Sequence, residues 1–214
     1  AVSSTAGAAM AAVKLYAITG ETQYRDDAVR LLNWIMTTLK DTDGIIGNSV
    51  NIYGVKDMTK WSYNTGVPIY AYARLYALTG NTSYLNNAIE LAKAAERFFV
   101  DPDKGAIIDP SCFAFTLAEG WLELYQQTND THWLGLANKV IVYVHEHRDP
   151  NGRYSANWND SPSSAMTQYY LLYTTPAARI YWRAAKIGGS AVSLPSFISG
   201  SNITTTASSN WSGR

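Results

Sequence analysis

Leu15-Tyr16-Ala17-Ile18-Thr19-Gly20, followed by Tyr24 and Ala28, returns 60 residues later as Leu75-Tyr76-Ala77-Leu78-Thr79-Gly80, followed by Tyr84 and Ala88. A more diverged third copy reads Leu124-Tyr125, Thr128-Asn129, then Trp133 and Ala137. Self-similarity at a fixed spacing marks a repeated supersecondary unit. Here the unit is a helix rich in Ala and aromatic residues that stops at Thr-Gly. Glycine there takes the left-handed conformation that closes a helix, and a second helix starts on a nearby Thr or Ser cap. Each copy therefore reads as an αα-hairpin.

The hydropathy of the paired helices differs. The first members, near 4–18, 62–78 and 112–127, are apolar around most of their circumference, as in Val67-Pro68-Ile69-Tyr70-Ala71-Tyr72-Ala73, which predicts burial on both sides. The second members, near 22–40, 82–99 and 130–147, each carry one polar face and are expected outside. A last helical stretch, 163–186, is expected to break at Pro176, which cannot donate the helical hydrogen bond. Inner and outer layers of alternating antiparallel helices make an all-α, α/α toroid. Short turns fall at one pole and the long connections, about 41–61, 100–111 and 148–162, at the other, where binding sites gather. The toroid domain is assigned to residues 1–187, and the Ser/Thr/Gly-rich residues 188–214 to a tail or stalk.

Composition restricts the function classes. With 17 basic and 17 acidic residues among 214 the formal charge is zero, which gives no electrostatic basis for nucleic acid or an anionic membrane as partner. No apolar run reaches the roughly 18–20 residues of a membrane span. The N-terminal residues lack a basic signal-peptide region, so the chain is expected to be processed or to begin inside a longer protein. Asn-x-Ser/Thr acceptors at Asn81, Asn129, Asn202 and Asn210, with a weaker one at Asn159, point to a secreted or cell wall-associated glycoprotein. In that compartment the single cysteine, Cys112, invites a partner on another chain or segment.

Sites for sugars combine aromatic platforms with hydrogen-bonding rims, and Trp61-Ser62-Tyr63-Asn64-Thr65-Gly66 offers both at the start of an inner helix. Glycoside cleavage needs two carboxyl groups. Asp26-Asp27 is an adjacent pair, but it lies in the first turn of an outer helix, where acidic residues suit the helix dipole and face water. Glu119, alone on an apolar inner helix, must be paired, hydrogen-bonded or functional. The histidines of His145-Glu146-His147 point to different sides of a helix and do not suggest a metal site. The chain carries no nucleophile elbow, phosphate loop or dinucleotide fingerprint, and no cofactor is expected.

Trp61-Ser62-Tyr63-Asn64-Thr65-Gly66-Val67, with Leu75-Tyr76 and Thr79-Gly80 after it and Tyr84-Leu85 beyond, resembles glycoside hydrolase family 76, the endo-α-1,6-mannanases and the related fungal wall proteins. Val2-Ser3-Ser4-Thr5 and Asn151-Gly152-Arg153-Tyr154 with Asn157-Trp158 extend the likeness, in order, over about residues 1–187. The resemblance implies a ring of about six hairpins, of which this chain supplies the C-terminal portion. It also implies retaining hydrolysis or transglycosylation of α-1,6-mannan without metal or cofactor. It places sugar contacts at Trp61, Tyr63, Asn64, Asp109 and Trp158. The family's adjacent catalytic aspartates lie upstream of residue 1, so the catalytic residues are unknown in this chain, and Glu119 stands where the family has Arg. Two expectations follow. One is a mannan-acting enzyme whose apolar first-helix flank, with Ala8, Ala9, Met10, Ala12 and Val13, is covered by an upstream segment, a companion fragment or a second copy. The other is a catalytically silent glycan-binding or structural wall protein.

Overall fold

The computed structural model describes residues 1–168 and 170–187. The expected tail, with Asn202 and Asn210, lies outside the described residues. Three hairpins follow one another, α1 (Val2–Thr19) with α2 (Thr22–Leu39), α3 (Ser62–Thr79) with α4 (Thr82–Phe99), and α5 (Ser111–Thr128) with α6 (Thr131–Glu146). Helix α7 (Leu171–Ile187) ends the described chain. The inner row runs α1, α3, α5, α7, each packed on the next, while α2, α4 and α6 back their hairpin partners. This is an all-α, incomplete α/α toroid.

The repeat turns behave as their chemistry requires. Gly20 and Gly80 close α1 and α3 at φ 73° and 70°, and each backbone N–H reaches back to the carbonyl of Tyr16 or Tyr76. In the diverged third copy Asn129 takes the same role at φ 56° and bonds the Tyr125 carbonyl. Asparagine is the residue that best substitutes for glycine in this region.

Neighbouring helices of the inner row are joined by close backbone approach. A Cβ added to Gly66 of α3 would stand 2.6 Å from the backbone nitrogen of Leu117 and 2.7 Å from its Cα, so α3 and α5 touch along their main chains. Ile69, Tyr72, Leu75, Leu117 and Trp121 fill the interior around that crossing.

Two expectations need correction. The last helix starts at Leu171 rather than near 163, and it runs through Pro176 without a break. Proline in a helix forfeits one backbone hydrogen bond, and Pro176 is buried, as is Pro68 inside α3, so packing offsets the loss. The exposed flank of α1 is also made of other residues than expected. Ala9, Ala12 and Val13 are buried within the domain, leaving Ala8, Ala11 and Leu15 outside with Ile18, which is 81% exposed.

Candidate functional site at the long-loop pole

The inner helices α3 and α5 present their N-termini to the pole that carries the long connections. Three rings form a cluster there. Phe113, in the first turn of α5, sits between Trp61 at 5.4 Å and Tyr63 at 4.7 Å between ring centres, with the planes inclined by 58° and 53°. All three are half-buried, so each keeps part of its surface open to solvent.

A hydrogen-bonded chain extends from this cluster into a short hairpin, β1 (Ser49–Val50) paired with β2 (Lys56–Asp57). The Tyr63 hydroxyl donates to Oδ1 of Asn48 at 3.1 Å, and Nδ2 of Asn48 donates to Asp57 at 2.7 Å. Asp57 also accepts the backbone N–H and hydroxyl of Thr59. These donors, Asn48 first and then Thr59, lower the Asp57 carboxyl from the ordinary 3.8 to about 2. At the hairpin tip Ile52 and Tyr53 are 92% and 84% exposed.

Below the rings the loops are tied to one another. The Asp109 carboxylate accepts the backbone N–H of Ser62, and its backbone carbonyl accepts that of Trp158. Burial raises the Asp109 carboxyl above the usual range, against the pull of the Ser62 donor. Pro110 bridges to Asn157, and the Ser111 N–H bonds the Ala156 carbonyl. In the third loop Asp149 collects backbone N–H groups from Asn151, Arg153 and Met166. Burial alone would raise its carboxyl, yet those donors hold it below the usual range. The three long connections therefore meet at one pole.

The residues singled out from sequence do not all reach the surface. Trp61 and Tyr63 do. Asn64 is fully buried one position deeper, its amide nitrogen and oxygen both without a protein partner. Asp109 is 8% exposed and Trp158 2%, so the loop tryptophan is a core side chain in this chain. Asn81 and Asn129 are exposed, Asn81 as the cap of α4. Cys112 is a half-buried free thiol, pushed up in pKa chiefly by burial.

Asp26 and Asp27 sit on the outside of α2, paired to Arg25 at 2.8 Å and Arg30 at 2.9 Å. Glu119 has the partner its position demanded: Arg179 of α7 engages both carboxylate oxygens, at 2.6 and 2.9 Å. His147 is occupied with Tyr143, its Nδ1 at 2.8 Å from the backbone carbonyl and its ring stacked on the phenol. Among the described residues no group of three His, Cys, Asp or Glu side chains is placed to hold a metal ion. None of the described helices is long and apolar enough to cross a membrane.

Sequence reasoning missed two features. Asn48 gave no signal, because its role depends on contacts across 15 and 9 residues. Glu123 of α5, 1% exposed, is held by Arg183, Arg74 and Gln127.

The model of glycosyl hydrolase family 76 matches residues 2–120, from the start of α1 through the middle of α5. The chain belongs to glycosyl hydrolase family 76. A family 76 α-mannanase of Bacteroides thetaiotaomicron is 33% identical with a TM-score of 0.82, over 86% of this chain and 52% of that one. The α-1,6-mannanase of Salegentibacter sp. HEL1_6 shares the fold at 21% identity and TM-score 0.69, over 87% of this chain and 59% of its own. An inactive variant of that mannanase, with two consecutive aspartates replaced by asparagine, has been seen in complex with α-1,6-mannotriose. The family 76 chain described here thus spans little more than half the length of these structures. No curated protein matches its sequence.

Proposed function

We propose that this chain forms the glycan-holding half of a secreted domain acting on α-1,6-linked mannan. The observation that carries the reading is the Trp61–Phe113–Tyr63 ring cluster at the start of two inner helices, with Tyr63 tied to a polar hairpin base. Sugar rings present apolar C–H faces to aromatic surfaces and hydroxyls to groups such as Asn48 and Asp57. Trp61 and Tyr63 make those contacts. Asp109, Asn64 and Trp158 serve the same site, and the two loop residues among them join the connections that carry the rings.

Cleavage or transfer, in this reading, requires a pair of carboxyl groups from outside the chain. Asp41 and Asp43 share Lys60, Asp57 is held by Asn48 and Thr59, and Asp109 caps α3. Asp26 and Asp27 face solvent on the outer layer. That engagement favours a second reading for the chain by itself, glycan binding without turnover. Titration with α-1,6-mannotriose tests both. Binding should occur, Trp61→Ala should weaken it about tenfold or more, and Asp26→Asn with Asp27→Asn should leave it unchanged. Release of shorter oligosaccharides by the isolated chain would defeat the silent reading, and absence of any binding would defeat both.

A further inference from the structure

Tyr70, Glu119 and Arg179 each stand eight residues beyond the first residue of α3, α5 and α7. At about 1.5 Å per residue this puts them on one level, about 12 Å below the aromatic rim. A cavity of about 320 Å3 opens there between the inner helices, lined by Lys14, Tyr70, Glu119, Arg179, Trp182 and Arg183 among others.

The charges around it do not balance. Both oxygens of Glu119 are taken by Arg179, and Glu123 behind the cavity is taken by Arg183, Arg74 and Gln127. Lys14 faces no carboxylate within ion-pair distance among the described residues, and its ammonium lies 6.0 Å from the centre of the Tyr70 ring. The Nε of Arg183 is buried without a hydrogen-bond partner. Four cations thus meet two saturated carboxylates, leaving an excess of two positive charges with unspent N–H donors. Beside them Trp182, 60% exposed, and Tyr70 offer ring surface. Neutral mannose gives no reason for that excess, whereas an anion beside a sugar ring uses both the donors and the rings.

We propose that this cavity is an anion subsite, taking a phosphate or carboxylate borne by the glycan held at the rim. The inference rests on the mannan reading for the glycan and on the cavity for the anion. The 214-residue chain is titrated with α-1,6-mannotriose, with the same trisaccharide carrying one phosphate monoester, and with inorganic phosphate alone. The phosphorylated sugar should bind at least about tenfold more tightly than the neutral one, about 1.4 kcal/mol. Lys14 is exposed, so its variants keep the fold; Lys14→Glu should abolish the gain and Lys14→Arg should keep it. Equal affinities for the two sugars, or a gain that survives Lys14→Glu, overturn the anion subsite and leave the mannan reading standing. If neither sugar binds while inorganic phosphate does so in a Lys14-dependent way, the mannan reading falls and the anion site remains. Binding of none of the three overturns both.

Discussion

One oxygen of the Asp109 carboxylate accepts the backbone N–H of Ser62 at 2.7 Å, across 47 residues of chain. Ser62 is the first residue of α3, and Trp61 before it supplies no side-chain cap. The helix is therefore capped from another loop, by a negative charge at the positive end of its dipole. Asp109→Ala should cost about 1–2 kcal/mol in urea unfolding, the usual worth of a cap. Asp109→Asn keeps an acceptor and removes a buried charge, and should cost less. Equal losses from the two would show that the charge, not the acceptor, matters.

Gly66 should tolerate no side chain. In an open helix Gly→Ala gains up to about 1 kcal/mol from backbone entropy. At Gly66 the added carbon meets the backbone of Leu117 and Thr116, which cannot yield without parting α3 from α5. A loss of about 2 kcal/mol or more is expected. Gly7 of α1 has nothing within 4 Å of its would-be Cβ, so Gly7→Ala should stabilise. Thermal unfolding of the two variants should move in opposite directions.

The Asp57 carboxyl titrates at about 2, held down first by Asn48 and then by Thr59. A carboxyl lowered on folding contributes stability above its ordinary value, and that contribution is lost as pH falls through the folded value. The hairpin base should thus weaken between about pH 4 and pH 2. NMR of the side-chain carboxyl carbon should place the midpoint near 2, and Asn48→Ala should move it up toward 3.8. An unmoved midpoint would show that Asn48 is not the controlling donor.

What was legible in the sequence was local. Thr19-Gly20, Thr79-Gly80 and Thr128-Asn129 announced helix ends because a left-handed residue is a property of one position, and the structure has all three at positive φ. Trp61 and Tyr63 could be placed at a helix start by the same logic. Glu119 could be recognised as needing a partner, but Arg179 could not be named, being 60 residues away on another helix. Trp158 read as a loop aromatic, since its burial depends on how three loops converge. Pro176 read as a break because proline's cost is local, while the packing that offsets it is not.

Glu123 carries the last prediction. It is 1% exposed on α5, between Arg183 of α7 and Arg74 of α3, and Gln127 donates to it one turn on at 2.8 Å. A buried carboxylate is tolerable only while its counter-charges remain, so the group and its partners act as a unit. Glu123→Ala should cost about 3–5 kcal/mol, mainly by stranding Arg183, whose side chain is only 21% exposed. Arg183→Met should cost a similar amount by stranding Glu123. With both removed only Arg74, 35% exposed, loses its partner, and apolar replacements of similar volume can be close to neutral. The pair Glu123→Leu with Arg183→Met should therefore lose well under the sum of the single changes, with a coupling of at least about 1 kcal/mol in a double-mutant cycle. Arg74 should remain the weaker partner, at 3.5 Å and 35% exposed, so Arg74→Met alone should cost much less. Additive losses at positions 123 and 183 would mean that the two side chains stabilise the inner row independently, as packing volume rather than as an ion pair.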